Sequence, residues 1–209
     1  MPVVDGRRAQ LAGRLIDRID RREARVVVIG QGYVGLPLAL RAAAQGHADV
    51  VGYDVSAERI GSLRRGESFV GDVGDDDLRA GAAGTYRPSD DPADLAGFDV
   101  AVISVPTPLR EGAPDLSYVD AAGRAVGTHL RAGACVVLES TTYPGTTLGR
   151  LAPILEERSD LAAEDYLLGY SPERIDPGNT THTLVNTPKV VSGTDDAACA
   201  AVDAFYATL

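Results

Sequence analysis

The chain has 209 residues, 44% of them hydrophobic and 24% charged. These are globular values that exclude a disordered or fibrous chain and allow a core of useful size. Its 30 acidic residues against 20 basic ones give a net charge of -10, so a nucleic acid or an anionic membrane surface would be repelled, while one phosphorylated ligand could still be held in a local pocket. Cys135 and Cys199 are too few for a disulfide framework, no apolar run nears the roughly 18 residues of a membrane span, and residues 1–13 carry no signal-peptide core. The expectation is a soluble, cytoplasmic protein that binds neither nucleic acid nor membrane.

Residues 1–24 read as a helical extension, with Leu11, Leu15, Ile16 and Ile19 at helical spacing, expected to lie on the main domain. The main domain, 25–209, alternates strand and helix. Residues 25–30 form an apolar run suited to a strand buried on both faces; 34–45 form a helix with Pro37 in its first turn and Gly46 after it. Strand 50–54 leads to a helix at 56–65 with Ser56 as N-cap. The acidic, Gly-rich stretch 67–77 reads as a solvated connection, overlapping a short helix at 75–82. Strands follow at 85–87 and 99–105, a helix at 117–130, a strand at 135–139, a helix at 146–158, strands at 166–170 and 189–192, and a final helix at 195–209. Such alternation predicts an α/β protein with a doubly wound parallel sheet, the Rossmann arrangement, plus the N-terminal helix.

Gly30-Gln31-Gly32-Tyr33-Val34-Gly35 is a G-x-G-x-x-G between a buried strand and a helix, the context in which that pattern binds a dinucleotide. Gly30 permits the turn, Gly32 lets the main chain approach a pyrophosphate, and Gly35 lets the helix pack closely on the strand. Asp54 lies 54 − 30 = 24 residues after the first glycine, a spacing suited to the ribose hydroxyls of NAD, and its charge would repel a 2′-phosphate. Three polar, Pro-containing segments leave later strands at the same predicted edge: 105–108, 139–145 and 171–179.

Together these strings resemble the UDP-glucose/GDP-mannose (nucleotide-sugar) dehydrogenase family, in particular its UDP-N-acetylhexosamine branch. The resemblance is carried by Gly-Tyr-Val-Gly-Leu-Pro-Leu-Ala (32–39), Ser-Val-Pro-Thr-Pro-Leu (104–109), Glu-Ser-Thr-Thr-Tyr-Pro-Gly-Thr-Thr (139–147) and Ser-Pro-Glu-Arg-Ile-Asp-Pro-Gly-Asn (171–179), and it runs from about residue 14 to the end. It implies NAD as cofactor and a nucleotide sugar as substrate. It implies cofactor contacts from Gly30 to Gly35, Asp54, Arg59, Val105, Pro106, Thr107, Ser140 and Thr141. It implies that Thr141 positions a catalytic water, that Glu173 works with that water and with substrate, and that Arg174, Ile175 and Asp176 lie along the sugar nucleotide. Pro177 stands where relatives carry a second glutamate.

Family members are roughly twice as long, and their catalytic cysteine and lysine lie beyond the part matched here. Cys135 reads as a strand residue, Cys199 as a helix residue, and Lys189, the only lysine, as solvent-reaching. His47 and His129 read as surface residues, and His182 is the one imidazole near the expected site; no Cys or His pair has metal-ligand spacing. The sequence therefore predicts at most one two-electron step alone, or an incomplete NAD-binding domain that needs a partner. Val202, Phe205, Tyr206 and Leu209 are expected to lack cover, favouring a homo-oligomer or a partner subunit.

Overall fold

In the computed structural model, which describes residues 6–110, 112–174 and 186–209, the buried β-branched runs stand side by side. The elements are α1 (Gly6–Asp20), β1 (Arg25–Ile29), α2 (Gly35–Ala44), β2 (Asp49–Tyr53), α3 (Ala57–Arg64), α4 (Asp75–Ala83), β3 (Tyr86–Ser89), β4 (Val100–Ile103), β5 (Leu109–Arg110), β6 (Ala113–Pro114), α5 (Ser117–His129), β7 (Cys135–Leu138), α6 (Ala152–Ser159), β8 (Leu167–Tyr170), β9 (Ser192–Gly193) and α7 (Asp196–Ala207). The main sheet runs β3-β2-β1-β4-β7-β8-β9. Every pairing is parallel except β8 with β9. The strand order reverses between β1 and β4, so a crevice opens there at the carboxyl ends of the strands. This is the expected doubly wound sheet with helices on both faces.

Side-chain alternation sorts the core into two layers. Val26, Val28, Val100, Val102, Cys135 and Val137 pack with α1, α2 and α7; Val27, Ile29, Ala101, Ile103, Val136 and Leu138 pack with α5 and α6. The N-terminal helix lies on α7 through Ala12, Leu15 and Ile19. Asp99 fastens it at the other end of the sheet: this buried carboxylate accepts from Arg18 Nη2 and Arg25 N at 2.8 Å each, and from Arg131.

Several expectations are corrected. Residues 189–192 supply only the start of a two-residue antiparallel edge strand, Ser192–Gly193. The helix expected from 146 opens as one wide π-type turn over Thr147–Leu151, with Pro153 at the start of α6. The short hairpin β5–β6 had no period long enough to register. Val202 and Phe205 are fully buried beneath α1 and β8, so the apolar face of α7 already has cover. His47 is buried too, its ring 5.9 Å from Phe205 and its Nε2 2.9 Å from Thr208 Oγ1. The stretch 67–77 is not merely solvated, since Val70 and Val73 enter the core.

Candidate functional site

The Gly-rich turn lies at the carboxyl end of β1. Gly30 adopts φ +93°, and a Cβ on Gly35 would meet the Gly30 carbonyl oxygen and Ser104 Oγ, so both positions require glycine. Gly32 has open space around it, and no side chain caps the N-terminus of α2. Its uncapped N–H groups are a natural seat for phosphate. Tyr33 is exposed at the rim and Val34 is buried. Gln31 turns inward: it is fully buried, its Nε2 donates to Val28 O at 3.0 Å and its Oε1 accepts from Tyr86 Oη at 3.0 Å. Its side chain therefore supports the turn, and only its main chain faces the cleft.

Asp54 follows β2 and is 6% exposed. Its Oδ2 accepts from Gln31 N and its Oδ1 from Ser56 N, each at 2.9 Å, so the carboxylate ties the turn to the end of β2. Helix α3 is capped by Ser56 Oγ, which accepts from Arg59 N at 3.3 Å. Arg59 Nη1 stands 3.5 Å from Asp54 Oδ2, and its guanidinium lies 5.7 Å from the Phe69 ring centroid. Gly32, Tyr33, Arg59 and Phe69, with Val70, Gly71 and Asp72, line a cavity of about 680 Å³. Sequence reading missed Phe69; a lone aromatic in an acidic, Gly-rich stretch was its only signal.

The later loops are laced to this turn. Ser104 Oγ donates to Ile29 O and Gly30 O at 3.0 and 3.1 Å. Ser140 Oγ donates to Val105 O, and Thr107 Oγ1 to Thr141 O, both at 2.7 Å. Pro106 is exposed between them, and the Thr141 side chain faces solvent at the cleft. The structure thus brings Gly30–Gly35, Asp54, Arg59, Val105, Pro106, Thr107, Ser140 and Thr141 to one edge of the sheet. Ile175, Asp176 and His182 lie outside the described residues.

Glu173 and exposed Arg174 follow β8, with Arg174 N donating to Glu173 Oε1 at 2.6 Å. Beside them is a cluster that sequence reading missed. Glu139, directly after β7, is completely buried. It is ion-paired with Lys189, accepts from Tyr206 Oη at 2.7 Å, and has Glu173 as a neighbour. Lys189 therefore does not reach solvent as expected. Its ammonium also lies 3.4 Å from Pro172 O and 4.9 Å from the Tyr206 ring centroid. Burial pushes the Glu139 carboxyl up to about 7, against the pull of Lys189 and with a further push from Glu173. Burial and the Glu139 charge together raise the Tyr206 phenol well above its ordinary range. Two signals pointed this way: a lone lysine, and an acidic residue closing an apolar strand.

Cys135 is buried and its thiol pushed up to about 12 by burial alone, so it is no nucleophile. Cys199 sits in the first turn of α7 and is partly exposed. Among the described residues no three His, Cys, Asp or Glu side chains gather as metal ligands, and no helix is long and apolar enough to cross a membrane.

A parallel doubly wound sheet with a glycine turn and a carboxylate closing β2 defines a dinucleotide-binding domain. Residues 24–209 match the model of the UDP-glucose/GDP-mannose dehydrogenase family, NAD binding domain. The chain belongs to that family, and its cofactor is NAD. It is 37% identical over 187 residues to the UDP-N-acetyl-D-glucosamine 6-dehydrogenase of Pseudomonas aeruginosa, covering 88% of this chain and 43% of that protein. Among solved structures, the UDP-D-ManNAc dehydrogenase of Pyrococcus horikoshii matches with a TM-score of 0.82 at 35% identity over 88% of this chain and 44% of that one. The NDP-N-acetyl-D-galactosaminuronic acid dehydrogenase of Methanosarcina mazei Go1 matches with a TM-score of 0.83 at 30% identity over 94% and 44%. The chain spans less than half the length of these relatives.

Proposed function

We propose that this chain, with residues 1–24 as an extension of the cofactor domain 25–209, serves an NAD-dependent oxidoreductase acting on a nucleotide sugar, with a UDP-N-acetylhexosamine as first choice. The observation that carries the reading is the lacing of Ser104 to the glycine turn and of Ser140 and Thr141 to Val105 and Thr107, which makes one cleft of three sequence-distant segments. Bound NAD⁺ would supply the hydride acceptor. The uncapped start of α2 and the Gly32 main chain would hold its pyrophosphate, and Asp54 with Arg59 its adenosine ribose. Pro106, Val105 and Ser140 would line its path. Thr141 would orient a water or the substrate hydroxyl, Glu173 would accept a proton from it, and Arg174 to Asp176 would lie along the sugar nucleotide.

With Cys135 buried and its thiol raised, no suitable thiolate for an acyl intermediate stands among the described residues of the cleft. We therefore limit the chain by itself to one two-electron step between alcohol and carbonyl. A second reading keeps NAD binding here and takes the remaining catalytic groups from a partner; the buried Cys135, its thiol raised by burial, favours it. Titration calorimetry should show NAD⁺ bound much more tightly than NADP⁺, and equal affinities would refute the assignment of Asp54. Counting NADH per UDP-N-acetylhexosamine consumed then separates the readings. One NADH and a carbonyl product support the first, two NADH and a carboxylate overturn the one-step limit, and NADH only on adding a partner supports the second.

A further inference from the structure

Phe69 stands apart from the apolar residues of its own segment. It is 43% exposed, while Val70 and Val73 beside it enter the core. The exposure is built in. Ser68 N donates to Asp75 Oδ1 at 2.8 Å, and Ser68 Oγ accepts from Val70 N at 3.2 Å, so the residues on either side of Phe69 are fastened to α4 and to each other. A large apolar ring held outward on a fastened loop needs something to cover it. Phe69 faces the cavity of about 680 Å³ that opens beside Gly32 and Tyr33 of the glycine turn. Arg59 stands in the same cavity, its Nη1 3.5 Å from Asp54 Oδ2 and its guanidinium 5.7 Å from the Phe69 ring centroid. That separation leaves no room for a second flat ring between the two, because stacked planes need about 3.5 Å on each side. Arg59 and Phe69 therefore make one wall, not two jaws.

We propose that the wall formed by the Phe69 ring and the Arg59 guanidinium is the platform on which the adenine of NAD stacks, which makes Phe69 a specificity-determining residue for the adenosine end of the cofactor. This rests on the NAD reading given above and adds a base contact to the pyrophosphate and ribose contacts assigned there. The residues follow the order of the ligand's parts: Gly32 for the pyrophosphate, Arg59 paired with Asp54 for the ribose, and Phe69 for the base. Adenine is a flat ring with two π faces, and an aromatic side chain and a guanidinium are the protein groups that stack on such a face. Arg59 serves two neighbours at once, its nitrogen turned to Asp54 and its plane set on the Phe69 ring, so the wall is in place before any ligand arrives. The anchoring of Ser68 and Val70 keeps Phe69 from folding inward when the cavity is empty of base.

The test measures binding to the full chain by calorimetry with NAD⁺ and with ADP-ribose, which keeps the adenosine end and lacks nicotinamide. Phe69→Ala should weaken both by the same factor, about tenfold or more, and Phe69→Tyr should hold them to within about twofold of the parent. NMR of the ADP-ribose complex gives a readout that a structural role alone would not move. The adenine H2 and H8 signals should shift upfield under the ring current and show nuclear Overhauser contacts to the Phe69 ring protons, and Phe69→Leu should abolish that shift. NAD⁺ affinity unchanged in Phe69→Ala, or adenine signals without a shift that depends on Phe69, would overturn the proposal and leave the NAD reading standing. A parent chain that binds neither molecule would overturn both. Should the variants fail to fold, the parent complex decides alone: contacts between adenine and the Phe69 ring support the platform, and their absence refutes it.

Discussion

The two ends of the cleft are built in opposite ways. At the glycine turn the working groups are main-chain atoms from residues 30–35, with one carboxylate, Asp54, a short way on, and the shape is dictated by where a Cβ cannot fit. At the Glu139 end the working groups are side chains from residues 139, 173, 189 and 206, joined only by the fold. A main-chain site imposes a local pattern on the sequence, whereas a side-chain cluster drawn from distant segments imposes none.

The strongest way to break this contrast is Gly35→Ala. Its Cβ would meet the Gly30 carbonyl, which is backbone and cannot swing aside. We expect about 3 kcal/mol of lost stability in urea unfolding, and NAD⁺ affinity lowered more than about tenfold.

A comparison of pH responses sharpens it next. His47 and Glu139 are both buried and both touch α7, but their titrations oppose. Burial, helped by Arg22, lowers His47 from 6.5 to about 4. The folded state therefore binds its proton less readily than the unfolded chain, and stability is lost as pH falls from 6.5 towards 4, by on the order of 3 kcal/mol when complete. Glu139 is raised from 4.5 to about 7, so its contribution is full below 4.5 and is lost as pH rises towards 7. His47→Gln should abolish the acid-side loss and leave a downward slope with rising pH; Glu139→Gln should do the reverse. Melting temperatures from pH 4 to 8 measure both, and parallel curves for the two variants would refute the opposition.

Asp54→Ala leaves Gln31 N and Ser56 N without their acceptor, and should cost about 2 kcal/mol in stability and weaken NAD⁺ by a further amount seen in calorimetry. Smallest is Ser104→Ala, which removes one hydroxyl donor to the turn. About 1 kcal/mol is expected, read from the same unfolding curves.

The same contrast explains what was legible beforehand. The parallel sheet, the turn and Ser56 as N-cap follow from apolar runs, glycines and a hydroxyl, all within short windows. Edge strand β9 was misplaced because it has two residues and borrows its partner from β8. His47 looked exposed because it follows Gly46 at the end of α2, and only the packing of Phe205 buries it. Lys189 looked solvated for the same reason: its counter-charge lies 50 residues away along the chain.

The hydrogen bonds from Ser140 to Val105 and from Thr107 to Thr141 have a kinetic consequence. Each is a rivet between the segment after β4 and the segment after β7, and parting the two means breaking both, at roughly 1 kcal/mol apiece. These segments should swing as one flap. Entry and exit of a molecule on that side would then follow a single relaxation, and loosening either rivet alone would split it into two.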